Sequence, residues 1–174
     1  LQQLINRDQG FNATVDHAFG SFYVVANDTH SNYRIATLAD SALGYDNWQT
    51  LMQGDDNLYI KGLSTFRHGL VITLARNGLN ALHVIPFDKN VDAYDIEFPE
   101  QVFSASLGNN PDFNATSIRI TYESMITPDT LFAYNFANRQ KTVLKKQKIP
   151  SGYDASLYHT ERRMAPSRDG VMIP

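Results

Sequence analysis

The feature of this sequence that most constrains its fold is an apolar, strand-like segment that recurs every 48 residues. The three copies occupy residues 22–25, 70–73 and 118–121, and a polar turn and a second strand-like run follow each copy. Repeats of about 40–50 residues built from short strands are typical of β-propeller blades. Nothing in the chain sustains a helical period. The sequence therefore predicts an all-β fold, a partial β-propeller with room for about three and a half four-stranded blades.

The predicted blades lie near residues 1–50, 51–98 and 99–146. Asn77-Gly78 is the strongest hairpin signal, because both residue types tolerate a positive φ. Residues 1–5 resemble a short outer strand of an incomplete blade. Residues 40–53 have helical character and predict a turn, or a single helical turn, between two blades. From residue 147 to residue 174 the strand pattern stops and prolines recur, which predicts an extended linker.

The composition excludes several classes of function. The chain has no cysteine, which rules out disulfides, a thiolate nucleophile and cysteine-ligated zinc. A net charge of −3 without a basic stripe gives no support for nucleic-acid binding. No apolar run approaches the ~18 residues that span a bilayer, so we expect no membrane insertion. The densest cationic cluster is expected to solvate an exposed edge strand; it consists of Lys141, Lys145, Lys146 and Lys148.

The sequence carries no motif for catalysis or metal binding. The Gly-x-Ser-x-Gly elbow that exposes a hydrolase nucleophile is absent. The five histidines are scattered, without the spacing of a zinc site, and no carboxylates repeat as in a calcium loop. His83 lies on a predicted strand and is expected to be packed rather than catalytic. We therefore expect no catalytic residue, no cofactor and no metal in this chain.

The third repeat and the predicted linker resemble a known family. Ser124 and Pro128 form a Ser-x-x-x-Pro turn ahead of an aromatic strand at residues 131–134. Residues 158–162 read Tyr-x-x-Glu-Arg, and Arg-Asp-Gly follows at residues 168–170. These features are similar to the last propeller blade and the crossover segment of the prolyl oligopeptidase family, and most of all to its oligopeptidase B (protease II) branch. The resemblance covers nearly the whole chain, most strongly from about Ser117 onwards.

The resemblance implies that this propeller is joined to an α/β-hydrolase domain that the chain lacks. In the family, a seven-bladed propeller is combined with a serine peptidase that cleaves short peptides, and the oligopeptidase B branch cuts after Arg or Lys. The chain would be the C-terminal half of that propeller, in a cytoplasmic protein, and residues 147–174 would lead to the hydrolase domain. Residues expected at this interdomain linker or interface are Tyr153, Asp154, Tyr158, Glu161, Arg162, Arg168 and Asp169.

Three functions remain open on the sequence alone. By resemblance, the chain is a non-catalytic gate that keeps large folded proteins from the peptidase site and admits short peptides. One alternative is a free-standing propeller that serves as a protein-interaction scaffold. Another is a part of a divergent, inactive member of the same family. Part of a propeller leaves apolar blade faces uncovered, so we also expect self-association. The expected partners are therefore the hydrolase domain of the same parent chain, short peptide substrates and a second copy of the chain.

Overall fold

The computed structural model describes residues 4–5 and 7–173, and its strands form three four-stranded antiparallel sheets. Blade 1 comprises β1 (Ala13–Ala18), β2 (Ser21–Ala26), β3 (Arg34–Ala39) and β4 (Gln49–Gln53). Blade 2 comprises β5 (Leu58–Phe66), β6 (Gly69–Arg76), β7 (Leu79–Pro86) and β8 (Tyr94–Asp95). Blade 3 comprises β9 (Phe103–Leu107), β10 (Ser117–Ser124), β11 (Thr130–Asn135) and β12 (Lys141–Lys146). Within each blade the strands neighbour one another in chain order.

Short elements complete the described part of the chain. They are the 3-10 helices Arg7–Gln9, Tyr45–Asn47 and Ala155–Leu157, and a two-stranded ladder of β13 (Ala165–Pro166) with β14 (Met172–Ile173).

The 48-residue period corresponds to the second strand of each blade. β2, β6 and β10 begin at Ser21, Gly69 and Ser117, which are 48 residues apart. The predicted Asn77-Gly78 hairpin joins β6 to β7, with φ angles of 48° and 78°. The prediction of an all-β partial propeller is thereby confirmed.

The blades pack face against face, and the core lies between them. Between blades 1 and 2, Val25 and Ile35 meet Ile60, Ile72 and Leu74. A larger core between blades 2 and 3 contains Phe66, Val71, Leu82, Val84, Ile96, Ala105, Ile118, Ile120, Tyr122, Tyr134 and Phe136. Each Val, Leu, Ile or Phe side chain among them contributes about 1.5–3 kcal/mol when fully buried. The packing of successive blades therefore accounts for the apolar runs in the sequence.

The structure refines three local predictions and adds one strand that the sequence does not predict. Residues 40–53 contain a single 3-10 turn, but their last part forms the edge strand β4 rather than a helix. β8 has two residues and no alternation that would predict it. Of residues 1–5, the predicted strand of an incomplete blade, Leu4 and Ile5 lie in a bend and residues 1–3 fall outside the described residues. The predicted extended linker also contains a 3-10 turn and the β13–β14 ladder.

The lysine-rich segment is an edge strand, as predicted. β12 lies at the edge of blade 3, and Lys145 and Lys146 are exposed. Lys141 differs, because its ammonium group donates a hydrogen bond to the main-chain oxygen of Glu97 and lies 4.9 Å from the centre of the Phe98 ring.

Successive connections alternate between two faces of the molecule, because every blade is an antiparallel meander. The linker face is defined by the end of β12 together with loops 27–33, 54–57, 77–78, 96–102 and 125–129. The distal face is defined by loops 19–20, 67–68, 87–93, 108–116 and 136–140. Loops of one face contact each other across blades: on the distal face, the Arg67 N–H of blade 2 donates to the Phe113 main-chain oxygen of blade 3 at 2.8 Å.

A buried ion pair fixes the linker-face end of blade 1. Asp28 accepts hydrogen bonds from Arg34 Nε at 3.0 Å and Nη2 at 2.5 Å, and from the Tyr45 hydroxyl at 2.8 Å. The side chains of Asp28 and Arg34 are 1% and 9% exposed. Burial alone would raise the pKa of Asp28, but the hydrogen bonds and charge of Arg34 outweigh it and hold that pKa below its usual value.

Candidate interdomain surface

Residues 147–173, which we call the linker, contact the linker face of two different blades. The Tyr153 hydroxyl donates a 2.6 Å hydrogen bond to the main-chain oxygen of Ile126 in blade 3. Arg162 Nη2 donates a 2.6 Å hydrogen bond to the main-chain oxygen of Asn77 in blade 2. The linker therefore runs across the linker face from blade 3 to blade 2.

The turn that receives Tyr153 is shaped by the serine of the Ser-x-x-x-Pro pattern. Ser124 Oγ accepts hydrogen bonds from the N–H groups of Ile126 at 3.1 Å and Thr127 at 2.8 Å. Ser124 Oγ and Thr127 Oγ1 both donate to Glu100 Oε1. Side-chain bonds of this kind fix a turn without a regular ladder, so the Ile126 carbonyl is presented in a defined direction.

Tyr153 and Tyr158 form a stacked pair on the linker. Their ring centroids are 5.5 Å apart and their planes differ by 19°. The 3-10 helix Ala155–Leu157 lies between them in the chain and brings the two rings together. Leu157 and Tyr158 remain 76% and 57% exposed. The pair is thus ordered by its own packing and still presents an apolar surface to a partner.

The linker carries a large share of the uncovered apolar surface. Of sixteen large hydrophobic residues that are exposed in the described part of the chain, eight lie within residues 149–173. Exposed large apolar side chains that are concentrated in one segment are typical of an interaction surface. The linker is therefore the best candidate for an interface with another domain.

The other predicted interface residues have local partners. Asp154 caps the 3-10 helix, accepting hydrogen bonds from the Ser156 N–H at 2.9 Å and hydroxyl at 2.7 Å, and these bonds lower its pKa. Asp169 accepts from Ser167 Oγ and from the Val171 N–H in the turn between β13 and β14. Both carboxylates therefore shape the linker backbone.

The charged residues of the Glu-Arg segment separate into two roles. Glu161 pairs with the neighbouring Arg163, with 2.5 Å between Oε1 and Nη2, whereas Arg162 binds blade 2. Arg168 is exposed. The sequence does not indicate the role of Arg163. It also cannot indicate that the main-chain oxygens of Ile126 and Asn77 are acceptors, because every residue type carries such an oxygen.

On the distal face, aromatic side chains join all three blades. Phe19, 65% exposed and with φ 50°, lies 5.2 Å from Phe87 of blade 2 and 5.7 Å from Phe113 of blade 3, between ring centroids. The loop that carries Phe113 is anchored on blade 2, where the Arg67 N–H donates to the Phe113 oxygen at 2.8 Å. Phe19 and Phe113 follow the first strands of blades 1 and 3. The loop therefore reaches over blade 2 to blade 1.

Three of the five histidines lie beside carboxylates and none belongs to a catalytic array among the described residues. His17, His30 and His83 lie 2.9, 3.5 and 2.6 Å from carboxylate oxygens of Asp40, Asp56 and Asp95. Among the described residues no serine hydroxyl hydrogen-bonds to any of them. His83 is packed, with a side chain only 12% exposed, as its place on a strand predicts.

Among residues 4–5 and 7–173, no three histidines or carboxylates lie close enough together to hold a metal ion. No helix in the same residues has the length and hydropathy needed to cross a membrane.

Comparison with known proteins identifies relatives along the whole chain. The family model described as "Prolyl oligopeptidase, N-terminal beta-propeller domain" matches residues 1–147. The chain is 31% identical to dipeptidyl aminopeptidase BI of Pseudoxanthomonas mexicana over 168 residues, which are 96% of this chain and 23% of that protein. It is 23% identical to protease 2 of Moraxella lacunata over 174 residues, which are 100% of this chain and 24% of that protein.

Solved structures agree with the fold. Oligopeptidase B from Trypanosoma brucei, in a closed form with covalently bound antipain, gives a TM-score of 0.81 at 24% identity, covering 94% of this chain and 24% of that one. Oligopeptidase B from Leishmania major also gives a TM-score of 0.81, at 20% identity, and the match covers 95% of this chain and 24% of that one. The chain thus spans about a quarter of the length of these relatives. It belongs to the prolyl oligopeptidase family, as a part of that family's N-terminal β-propeller domain.

Proposed function

We propose that this chain is the non-catalytic, substrate-excluding part of a serine oligopeptidase and that its linker face lies against an α/β-hydrolase domain. The observation that carries the proposal is the linker itself, which is bonded to two blades and still exposes half of the uncovered large hydrophobic residues. An interaction scaffold that works alone has no need of an apolar linker on one face. The Ser-Asp-His triad and oxyanion hole that such acyl transfer requires would belong to the hydrolase domain.

The distal face supports exclusion by size. The Phe113 loop joins three blades through rings that are 5.2–5.7 Å apart. Because Phe19 and Phe113 follow the first strands of blades 1 and 3, this aromatic bridge lies at the distal ends of those strands. Ring contacts that join blade 1 to blade 3 hold the three blades close together. We therefore expect the aromatic bridge to limit the width of the opening through which a peptide would reach the linker face.

Two cleavage specificities suit the relatives, and they differ in a testable way. The names protease 2 and oligopeptidase B, together with the Tyr-x-x-Glu-Arg pattern, favour internal cleavage of short peptides after Arg or Lys. The name dipeptidyl aminopeptidase BI, carried by a relative that is 31% identical, favours release of dipeptides from a free amino terminus. We propose the first specificity and treat the second as its alternative. A cytoplasmic location stays a prediction.

The test compares the full-length protein with this chain alone on two short peptides. One peptide has a blocked amino terminus and a single internal Arg; the other has a free amino terminus and the same Arg at its second position. We expect the full-length protein to cleave the blocked peptide after Arg and this chain to cleave neither. Cleavage of the free peptide only would favour the dipeptidyl alternative. If the full-length protein cleaves neither peptide, the scaffold function is the better account.

A further inference from the structure

A cleft between the outer strands of blades 2 and 3 contains basic donors with few acidic partners. Its cavity has a volume of about 600 Å³, and Tyr94, Tyr134, Arg139 and Lys141 are among the residues that line it. β8 contributes Tyr94, β11 contributes Tyr134, and the turn before β12 contributes Arg139. The cleft therefore lies between β8 with the residues that follow it in blade 2 and the turn that joins β11 to β12 in blade 3.

Arg139 is held in place by stacking and not by hydrogen bonds. Its guanidinium carbon lies 3.8 Å from the centre of the Tyr94 ring. No hydrogen bond or ion pair of the Arg139 side chain is found among the described residues. Stacking on an aromatic face fixes the guanidinium plane and leaves its N–H edge available to a carboxylate. Arg139 is therefore a preorganised donor.

Two more donors lie beside Arg139. The Tyr134 hydroxyl donates to the Tyr94 hydroxyl at 3.2 Å, so the Tyr94 proton is free to be donated to a ligand. Lys141 donates to the main-chain oxygen of Glu97 and, in the described part of the chain, has no carboxylate within ion-pair distance. Burial lowers its pKa, which means that its ammonium group would gain from an added anion.

The acidic residues of the cleft do not cancel this charge. Asp95 is already occupied, since it pairs with Arg76 and accepts a 2.6 Å hydrogen bond from His83 Nδ1 when that nitrogen is protonated. Glu97 is the other carboxylate that lines the cavity. In this first cavity, Arg139 and Lys141 carry two positive charges and Glu97 carries one negative charge, so the three residues have a net charge of +1.

A second cavity, of about 290 Å³, adjoins the first and also has Tyr94 and Arg139 in its wall. The rest of its lining is mainly apolar and includes Val84, Val91 and Phe136, together with His68 and Asp88. Asp88 keeps its negative charge but is exposed to solvent, which screens it; its Oδ1 accepts hydrogen bonds from the main-chain N–H and the side-chain amide of Asn90, both at 2.9 Å. An apolar space thus lies next to the donors.

We propose that this cleft binds the C-terminal residue of a short peptide, with the carboxylate at Arg139, Lys141 and Tyr94 and an apolar side chain in the adjoining cavity. The pairing of a planar guanidinium with a carboxylate supplies two parallel hydrogen bonds. The neighbouring apolar space selects against small anions such as acetate. This site lies wholly within blades 2 and 3, and it does not depend on the proposed peptidase activity.

Titration of this chain, followed by amide NMR shifts, tests the proposal with three probes. The probes are N-acetylglycyl-leucine, its C-terminal amide, and acetate. We expect saturable shifts around Tyr94 and Arg139 with the acid, and binding at least about tenfold weaker for the amide, because it loses a charged hydrogen-bond pair. Equal binding of acid and amide would overturn the carboxylate role. Acetate that binds as tightly as the acid would overturn the peptide assignment.

A pair of variants locates the site. Arg139→Gln removes the stacked charge, and Lys145→Gln removes a charge from the exposed edge of the same blade. We expect the acid to bind at least about tenfold more weakly to the first variant and unchanged to the second. Equal affinity of both variants would overturn the site. Circular dichroism checks that each variant is folded. If Arg139→Gln does not fold, the comparison of the acid with its amide in the unmodified chain still tests whether the site binds a carboxylate.

Discussion

Arg162 donates a 2.6 Å hydrogen bond to the main-chain oxygen of Asn77, which lies 85 residues earlier at the hairpin between β6 and β7. This contact attaches the C-terminal part of the linker, around Arg162, to blade 2. Tyr153 attaches the N-terminal part of the linker to blade 3. Beyond the main-chain hydrogen bond of Gln147 to Asp129, the position of the linker over the linker face therefore depends on these two side-chain hydrogen bonds to main-chain oxygens.

Arg162→Gln is expected to release the far part of the linker without unfolding the blades. The lost contact is on the surface, so the melting temperature should change little. Amide hydrogen exchange should become faster in residues 159–173 and stay unchanged in the strands. Arg163→Gln is the matched control, because Arg163 pairs only with the adjacent Glu161 among the described residues. Equal exchange in both variants would contradict the role of Arg162.

Asp28→Asn is expected to destabilise the chain by about 3–5 kcal/mol, because it leaves the buried Arg34 without its counter-charge. Urea unfolding at neutral pH measures the loss. Asp56→Asn is the control, since Asp56 is 97% exposed, and its effect should stay within about 0.5 kcal/mol. Similar losses in both variants would contradict a structural role for the buried pair.

The same pair predicts a pH dependence. The pKa of Asp28 is lowered in the folded state, so its contribution is complete above the unfolded pKa of about 3.9 and is lost as the pH falls through the lower folded pKa. The difference in unfolding free energy between the unmodified chain and Asp28→Asn should shrink over that acidic range. A difference that does not change down to the acid transition would argue against the ion pair.

Gly54→Ala is expected to be destabilising by about 1–3 kcal/mol because of a steric clash. A Cβ at Gly54 would lie 2.3 Å from the main-chain oxygen of Tyr33 and 2.4 Å from that of Asn32, where blade 1 passes into blade 2. Gly62→Ala is the control, since a Cβ there meets nothing within 4 Å. Thermal or urea unfolding of both variants checks this. A clash is refuted if Gly54→Ala is as stable as Gly62→Ala.

Self-association of the chain stays a prediction, and the structure suggests where it would occur. The outward face of blade 1 is packed by Leu4, Ile5 and Phe11. The face of blade 3 that is turned away from blade 2 carries, by strand register, Ser106, Arg119 and Thr121 on β9 and β10. The same face carries Leu131 and Ala133 on β11, with Leu144 of β12 close by.

Leu144→Lys should therefore weaken association more than Leu51→Lys, which places the same charge on the edge of blade 1. Sedimentation velocity over a range of concentrations measures both variants. A purely monomeric chain at all concentrations would contradict the prediction of self-association.

The sequence predicts the fold better than the contacts of the site. The 48-residue period locates β2, β6 and β10, because buried central strands consist of apolar residues. The same period does not reveal β4 and β8. β4 is mostly exposed and does not alternate between buried and exposed residues, and β8 has only two residues. Strand pairing at such edges is decided by neighbouring strands and not by local preference.

At the site, the resemblance points to the correct segment but not to its partners. Arg162 and Tyr153 both bind main-chain oxygens, which any residue type supplies. The stacking of Arg139 on Tyr94 joins residues of two blades, and no local pattern announces it. Contacts between distant parts of the chain therefore require the structure.

The most direct test of the gate is the size dependence of cleavage by the full-length protein. The same blocked Arg-containing segment is presented in a short peptide, in a long peptide and in the loop of a folded protein, and kcat/KM is measured for each. We expect efficient cleavage of the short peptide, weaker cleavage of the long one and none of the folded protein.

Phe113→Ala removes the ring that joins blade 3 to blade 1, and Leu51→Ala is its surface control. We expect Phe113→Ala to raise kcat/KM for the long peptide and to leave kcat/KM for the short peptide unchanged, whereas Leu51→Ala should alter neither value. Equal cleavage of all three substrates by the unmodified protein would contradict the gate.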